Sequence, residues 1–405
     1  MSRFSPLAWL VLPLILVGCA DDIPVFGAAV PLPVPEAGDA TGPRLSTGSD
    51  GRLTLSWMTS SETGTALKYS TYRDSAFAPA LEVVTDPRMF VNWADLPSVS
   101  HIAGSHWVAH WLRYSADKTY SYDVAVSQSH DDGQTWSKPL VVHDDGTPTE
   151  HGFVSLHRAA DGVALLWLDG RDTGKDTADN VLAASMTLRS AVLTPSGEIV
   201  REESVDDSVC DCCQTDVALA SSGLIAVYRD RTASETRDIY VTRQVDGRWQ
   251  PGERLYPDDW VIPGCPVNGP SIAARDDRVA VAWFSAARDV PVIRVIVSND
   301  SGATFGEPID IARGKLAGYV GLALLEDDSL AVSWVSRDAS GNNRLNLRHV
   351  SAHGELGTSQ RVAAIRQLHV VPQLGFHDGS LLLVWTDEDE GTRRLEGVSV
   401  PVNRP

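Results

Sequence analysis

Seven times along the chain, two short apolar strands flank a turn built on Asp, Gly or Ser, and the second strand closes on a large aromatic. The closing residues are Trp57, Trp111, Trp167, Tyr228, Trp283, Trp334 and Trp385, spaced 51 to 61 residues apart. So steady a period marks one supersecondary unit used repeatedly, and its alternating apolar residues make that unit β rather than α. The repeat overrides the two or three domains that 405 residues would otherwise suggest.

Each period has room for two further strands. Residues 122–129 lead through DDGQTW into 138–143, 293–298 through NDSGATF into 308–312, and 238–243 through VDGRW into 253–256. Four short antiparallel strands per period predict an all-β fold, a β-propeller of four-stranded blades. Seven inner hairpins are present but only six complete outer ones. The segment 23–34 can supply the missing outermost strand, closing the ring and removing an open sheet edge. Seven blades are expected, with six as the alternative if a terminal unit is irregular.

The N-terminus reads as an address. Arg3 precedes an apolar run, 7–17, too short to span a bilayer and followed by Leu16-Val17-Gly18-Cys19. This ending resembles a bacterial lipobox. It implies a signal peptide over 1–18, lipidation of Cys19, a tether and closing strand over 19–42, and a propeller over 43–401. Ala20, rather than Asp, after the cysteine points to an outer-membrane lipoprotein, periplasmic or surface-exposed, with the lipid as its only membrane contact. A net charge of −19 repels phosphate backbones, so nucleic acid is not an expected partner. A monomer is expected.

Two turns carry a second resemblance. Ser129, Asp131, Gly133 and Trp136 fit S-x-D-x-G-x-T-W, and Ser298, Asp300, Gly302 and Phe305 fit it with Phe at the end. In such a turn Ser and Asp oxygens accept the turn's own N–H groups, Gly supplies a positive φ, and the aromatic packs beneath. These are similar to the Asp-box (BNR) repeats of sialidase-like propellers. The resemblance covers nearly all of the mature chain and implies the fold more strongly than an activity.

Propeller topology gathers on one rim the loops after each second strand and before each inner strand, with the Asp-box turns opposite. The rim loops hold Arg171-Asp172, Arg229-Asp230-Arg231 and Arg288, and also Asn268. Arginine forks suit the carboxylate of an acidic glycan or another small acidic ligand. Blade-to-blade ion pairing is the alternative for the same residues. His101 and His151 read as solvated rim histidines.

With Cys19 set aside, Cys210, Cys212, Cys213 and Cys265 should meet at the border of blades 4 and 5. Disulfides, with Cys265 joined to the cluster, are one reading. The C-x-C-C spacing is not read as a zinc knuckle, but close thiolates could hold Cu(I). No other cofactor is expected. The sialidase resemblance makes Tyr319, before an Asp-Asp turn, the candidate nucleophile. Against it, the family's Arg-Ile-Pro motif is missing, because Arg44 follows Pro43 instead of preceding a proline. Three readings stay open: a sialidase-like glycoside hydrolase, a non-catalytic glycan- or protein-binding propeller, and a metal or redox site on the cysteines.

Overall fold

A computed structural model describes residues 25–36, 38–173, 185–367 and 369–403. The expected signal peptide and Cys19 lie outside the described residues. Seven antiparallel sheets follow one another around a ring, and the chain is a seven-bladed propeller.

The innermost strands are Ala40–Thr47, Ser98–Ala103, His151–Ala159, Asp216–Ala220, Ser271–Arg275, Leu316–Leu324 and Gln373–His377. The second strands are Leu53–Ser61, His106–Tyr114, Gly162–Asp169, Gly223–Arg229, Arg278–Ser285, Leu330–Arg337 and Ser380–Asp389. Every second strand is buried on both faces, because each blade is covered by a neighbour on either side. This is why VALLW, LAVSW and LLLVW read as continuous apolar runs.

The core is correspondingly divided. Seven apolar clusters each join one blade to the next; Val108, Val124, Val163 and Trp167 bind blades 2 and 3, for example. The closing Trp side chains lie inside these seams, with Trp57, Trp111, Trp167 and Trp283 wholly buried. Several are also pinned at the indole. Trp111 Nε1 donates to Asp86, and Trp283 Nε1 donates to Asp258 at 2.7 Å. Both aspartates belong to the preceding blade's exit, so the bond is a latch between blades.

Closure follows the sequence expectation. Val30–Pro31 pairs with Thr392–Pro401 as the outermost strand of blade 7, in the register Val30 with Ser399. Proline is tolerated there because the strand is an edge. Phe26 and Leu32, both buried, anchor it in the seams on either side.

The turn at 129–136 is built as its residues dictate. Ser129 Oγ accepts Gly133 N–H at 2.9 Å and donates to Asp131, whose Oδ1 accepts Thr135 N–H at 2.9 Å. Ser298, Asp300, Gly302 and Thr304 repeat the pattern. Gly133 has φ +79° and Gly302 φ +74°. Trp136 and Phe305 pack beneath their turns.

Candidate functional site

The loops expected at the rim do gather at one end of the ring, but a single segment covers the centre of that end. Residues 87–97, between Leu81–Asp86 and Ser98–Ala103, reach four other parts of the ring. Trp93 packs edge-on against Tyr319 with centroids 6.0 Å apart and lies 5.1 Å from the His369 ring. The Ala94 carbonyl accepts Gln214 Nε2 at 2.9 Å, and Asp95 Oδ1 accepts the Phe153 N–H at 2.8 Å. Contacts with blades 3, 4 and 6 and with the entry to blade 7 place this segment over the axis.

Beneath it runs an axial cavity of about 660 Å³, lined by residues of all seven innermost strands. It extends from Gln214, Pro270 and Val371 at the covered end to Gly51, Arg158 and Phe376 at the hairpin-turn end. Arg44 lines this cavity, and among the described residues its guanidinium makes no hydrogen bond or ion pair. Its charge acts on Asp216, which is held by Ile272 N–H at 3.0 Å, and on Asp95, opposing the rise that burial causes in each carboxyl. The sequence order Pro-Arg had set Arg44 aside as a ligand. A bulge between Thr41 and Arg44, with Gly42 at φ +66°, turns it into the channel.

The other arginines are occupied. Arg229 is 2% exposed and donates to the carbonyls of Asn268, Arg237 and Phe284, with Trp260 against its face at 4.9 Å. It is therefore a brace between blades 4 and 5, not a rim ligand. Arg231 pairs with Asp211 and Glu235, and Arg171 with Asp169, Glu202 and Asp145. Asp172 is half-buried beside it. Asp230 is buried, and burial together with the Asp206 charge raises its carboxyl to about 7. Arg288 stays open, 80% exposed, with Asp259 4.0 Å away. Arg171, Arg229 and Arg231 thus face carbonyls and carboxylates of their own and adjacent blades, and Arg288 faces solvent.

Asn268 and Tyr319 form a joint. Asn268 Oδ1 accepts the Tyr319 N–H at 2.7 Å, and its Nδ2 donates to Pro266 and Ala317 carbonyls. Tyr319 adopts φ +52°, as Phe153 does in the equivalent bulge of blade 3. Its hydroxyl bonds no described residue, and burial raises its pKa while Arg337 opposes this. A tyrosine nucleophile needs a carboxylate to take its proton. No described carboxylate stands in that position.

Neither histidine is solvated. His101 is buried and bonds the Gly104 carbonyl at 2.8 Å, at the hairpin-turn end and so opposite the rim. His151 is fully buried and stacks on His143, centroids 3.7 Å apart, among Asp123, Asp145 and Asp169. Burial and the neighbouring His151 lower the His143 pKa. These groups fall into two overlapping sets with metal-ligand proximity. Arg171 already supplies the cation there, so the set reads as a latch between blades 2 and 3. No local pattern marks it, because its members come from three strands and the loop that holds His143 and Asp145.

The four cysteines do meet, and all four are free thiols. Cys210 and Cys213 Sγ lie 2.9 Å apart, well beyond the 2.03–2.05 Å of a disulfide. Cys212 Sγ is 4.0 Å from Cys210, and the Cys265 thiol is near enough to act on it. The expected Cys265 disulfide is therefore not formed. Within the C-x-C-C run, Cys210 and Cys213 are themselves spaced C-x-x-C. Burial opposes ionisation of Cys210, yet hydrogen bonds from Cys212 and Cys213 and the Arg229 charge hold it well below the usual thiol range.

No protein-family model matches the chain, and no curated protein sequence matches it. Among solved structures, a protein of unknown function from Dyadobacter fermentans aligns over 94% of this chain and 100% of its own, at 11% identity and TM-score 0.50. A Hadza microbial sialidase aligns over 83% and 74%, at 12% identity and TM-score 0.50. The fold is sialidase-like. Trypanosoma rangeli sialidase in complex with the inhibitor DANA aligns over 80% of this chain at 12% identity and TM-score 0.45, and the chain spans 56% of its length. At such identities the sialidase-like likeness is one of architecture alone.

Proposed function

We propose that this protein is an exported propeller that recognises an acidic carbohydrate in its axial cavity, with Arg44 binding the ligand's carboxylate. The observation that carries the reading is the Arg44 guanidinium, unpaired among the described residues and lining a cavity of about 660 Å³. A planar fork of donors facing a cavity suits a carboxylate, which it can hold through two parallel bonds. Around it, Ser46, Ser100, Thr215, Ser271 and Gln373 offer hydroxyl and amide groups suited to a sugar ring. The volume falls in the range of ordinary small-ligand sites. With the rim end covered by residues 87–97, entry is assigned to the hairpin-turn end.

The reading is one of recognition. Glycoside cleavage by Tyr319 lacks the proton acceptor it requires, so no hydrolytic step is derived. Export and anchoring through Cys19 belong to the same proposal, and lipid labelling of the chain and of Cys19→Ala would test them.

Calorimetric titration with sialic acid, uronic acids and their neutral counterparts tests the ligand. Acidic sugars should bind, and Arg44→Met should weaken them about 10- to 100-fold, the worth of a charge-assisted pair. Failure of every acidic sugar to bind, or equal binding by Arg44→Met, would end the reading.

A further inference from the structure

The cysteine cluster is unlike anything else in the ring, and the axial cavity makes no use of it. Three sulfurs, from Cys210, Cys212 and Cys213, lie within 4.8 Å of one another on one turn. The turn is rigidly placed. Cys210 N–H bonds the Arg229 carbonyl at 2.9 Å, and Asp211 faces outward to Arg231 and the Met186 N–H. The thiols of Cys210 and Cys213 are therefore directed inward, each 1% exposed.

Two buried arginines border these sulfurs. Arg237, 3% exposed, is ion-paired to Glu235 at 2.8 Å through Nη2 and directs its remaining Nη1 at Cys210 Sγ from 3.4 Å. Arg229 lies against the same turn, its carbonyl accepting the Cys210 N–H. Glu235 balances the Arg237 charge, and the Nη1 left facing Cys210 is a donor that a thiolate accepts better than a neutral thiol. The arrangement makes physical sense if the sulfurs are thiolates, and clustered thiolates repel one another unless a cation joins them. The donor set contains sulfur only, which selects a soft ion.

We propose that Cys210, Cys212 and Cys213 form a three-thiolate site for Cu(I), with Cys265 as the ligand that passes the ion in and out. The gradient of exposure carries the second half. Cys210 and Cys213 are buried, Cys212 is half-buried, and Cys265 is exposed and near enough for its thiol to act on that of Cys212. An ion captured at Cys265 can move inward by exchanging one thiolate for the next, with no change in oxidation state. Each thiol that becomes a ligand releases its proton to solvent.

The test uses the full chain, reduced and handled without oxygen, loaded with Cu(I) and challenged with a Cu(I) chelator. One Cu(I) per chain should resist the chelator. Cys210→Ser and Cys213→Ser should abolish this retention, and Arg237→Gln should weaken it about 10-fold or more, as loss of a supporting contact does. Cys265→Ser should leave the final occupancy unchanged but slow both loading and removal. Thermal melts check each variant. If a buried serine prevents folding, the half-buried Cys212→Ser and the parent's stoichiometry carry the test. Two results would overturn the proposal: a reduced parent that yields all its copper to the chelator, or one that keeps Zn(II) in preference to Cu(I). A parent whose mass shows a disulfide that re-forms in place of copper uptake would overturn it too. Cys265→Ser exchanging at the parent's rate would remove the transfer role.

Discussion

Asn268 Oδ1 accepts the backbone N–H of Tyr319 at 2.7 Å, joining the entry loop of blade 5 to the inner strand of blade 6. The same joint recurs with other residues. Asp95 holds the Phe153 N–H at 2.8 Å, and Thr386 holds the Gly42 N–H at 3.2 Å. In each case a polar side chain from another blade or linker satisfies a donor that a bulge has freed from the sheet. Phenylalanine and glycine fill the equivalent positions, so the joint needs the backbone of residue 319 and not its hydroxyl.

Tyr319→Phe should accordingly leave both stability and ligand binding within about 0.5 kcal/mol of the parent, as surface-like changes do. Asn268→Ala should cost about 1–3 kcal/mol, the penalty for stranding a buried donor. Urea unfolding of the two variants checks the pair. A large loss in Tyr319→Phe with no loss in Asn268→Ala would reverse the assignment.

Arg229→Met should lower unfolding free energy by about 3–5 kcal/mol, because three buried carbonyls lose their donors and the blade 4–5 brace disappears. Denaturant melts measure this. A variant of parental stability would show that Arg229 is not a brace.

Phe26 packs in the seam of blades 6 and 7, with the His349 ring edge-on at 5.8 Å. Phe26→Ala should cost about 3–5 kcal/mol. Deleting residues 23–34 should lower the melting temperature further, since blade 7 then loses its outermost strand. A truncation melting with the parent would mean that the ring closes without that strand.

Burial raises the Asp95 carboxyl to about 7, with the Phe153 N–H opposing and Glu150 adding to the shift. Its Oδ2 has no hydrogen-bond partner among the described residues. The folded chain therefore holds a proton that the unfolded chain releases near the ordinary carboxylate range, and stability falls as pH rises from about 4 to about 7. Glu150, raised to about 7 by burial and by Asp211, acts in the same direction. Melting temperatures should drop between pH 5 and pH 8 by less in Asp95→Asn than in the parent. Parallel pH profiles would show that Asp95 is ionised throughout.

Period, blade number, closure and the two Ser–Asp–Gly turns were legible in the sequence, because each depends on residues within one hairpin or on one repeated spacing. The meeting of four cysteines was legible for the same reason, since topology sends the two loops to one border. What each rim side chain does was not legible. Arg44, Arg171 and Arg229 look alike as loop arginines, yet one faces the cavity, one lies among three carboxylates and one is sealed under Trp260. Their neighbours come from other blades, tens to hundreds of residues away. The covering of the axis by Trp93 and the stacking of His143 on His151 were hidden for that reason also. Local propensity determines the hairpin, whereas the pairing and burial of a charged group depend on which blade the ring brings beside it.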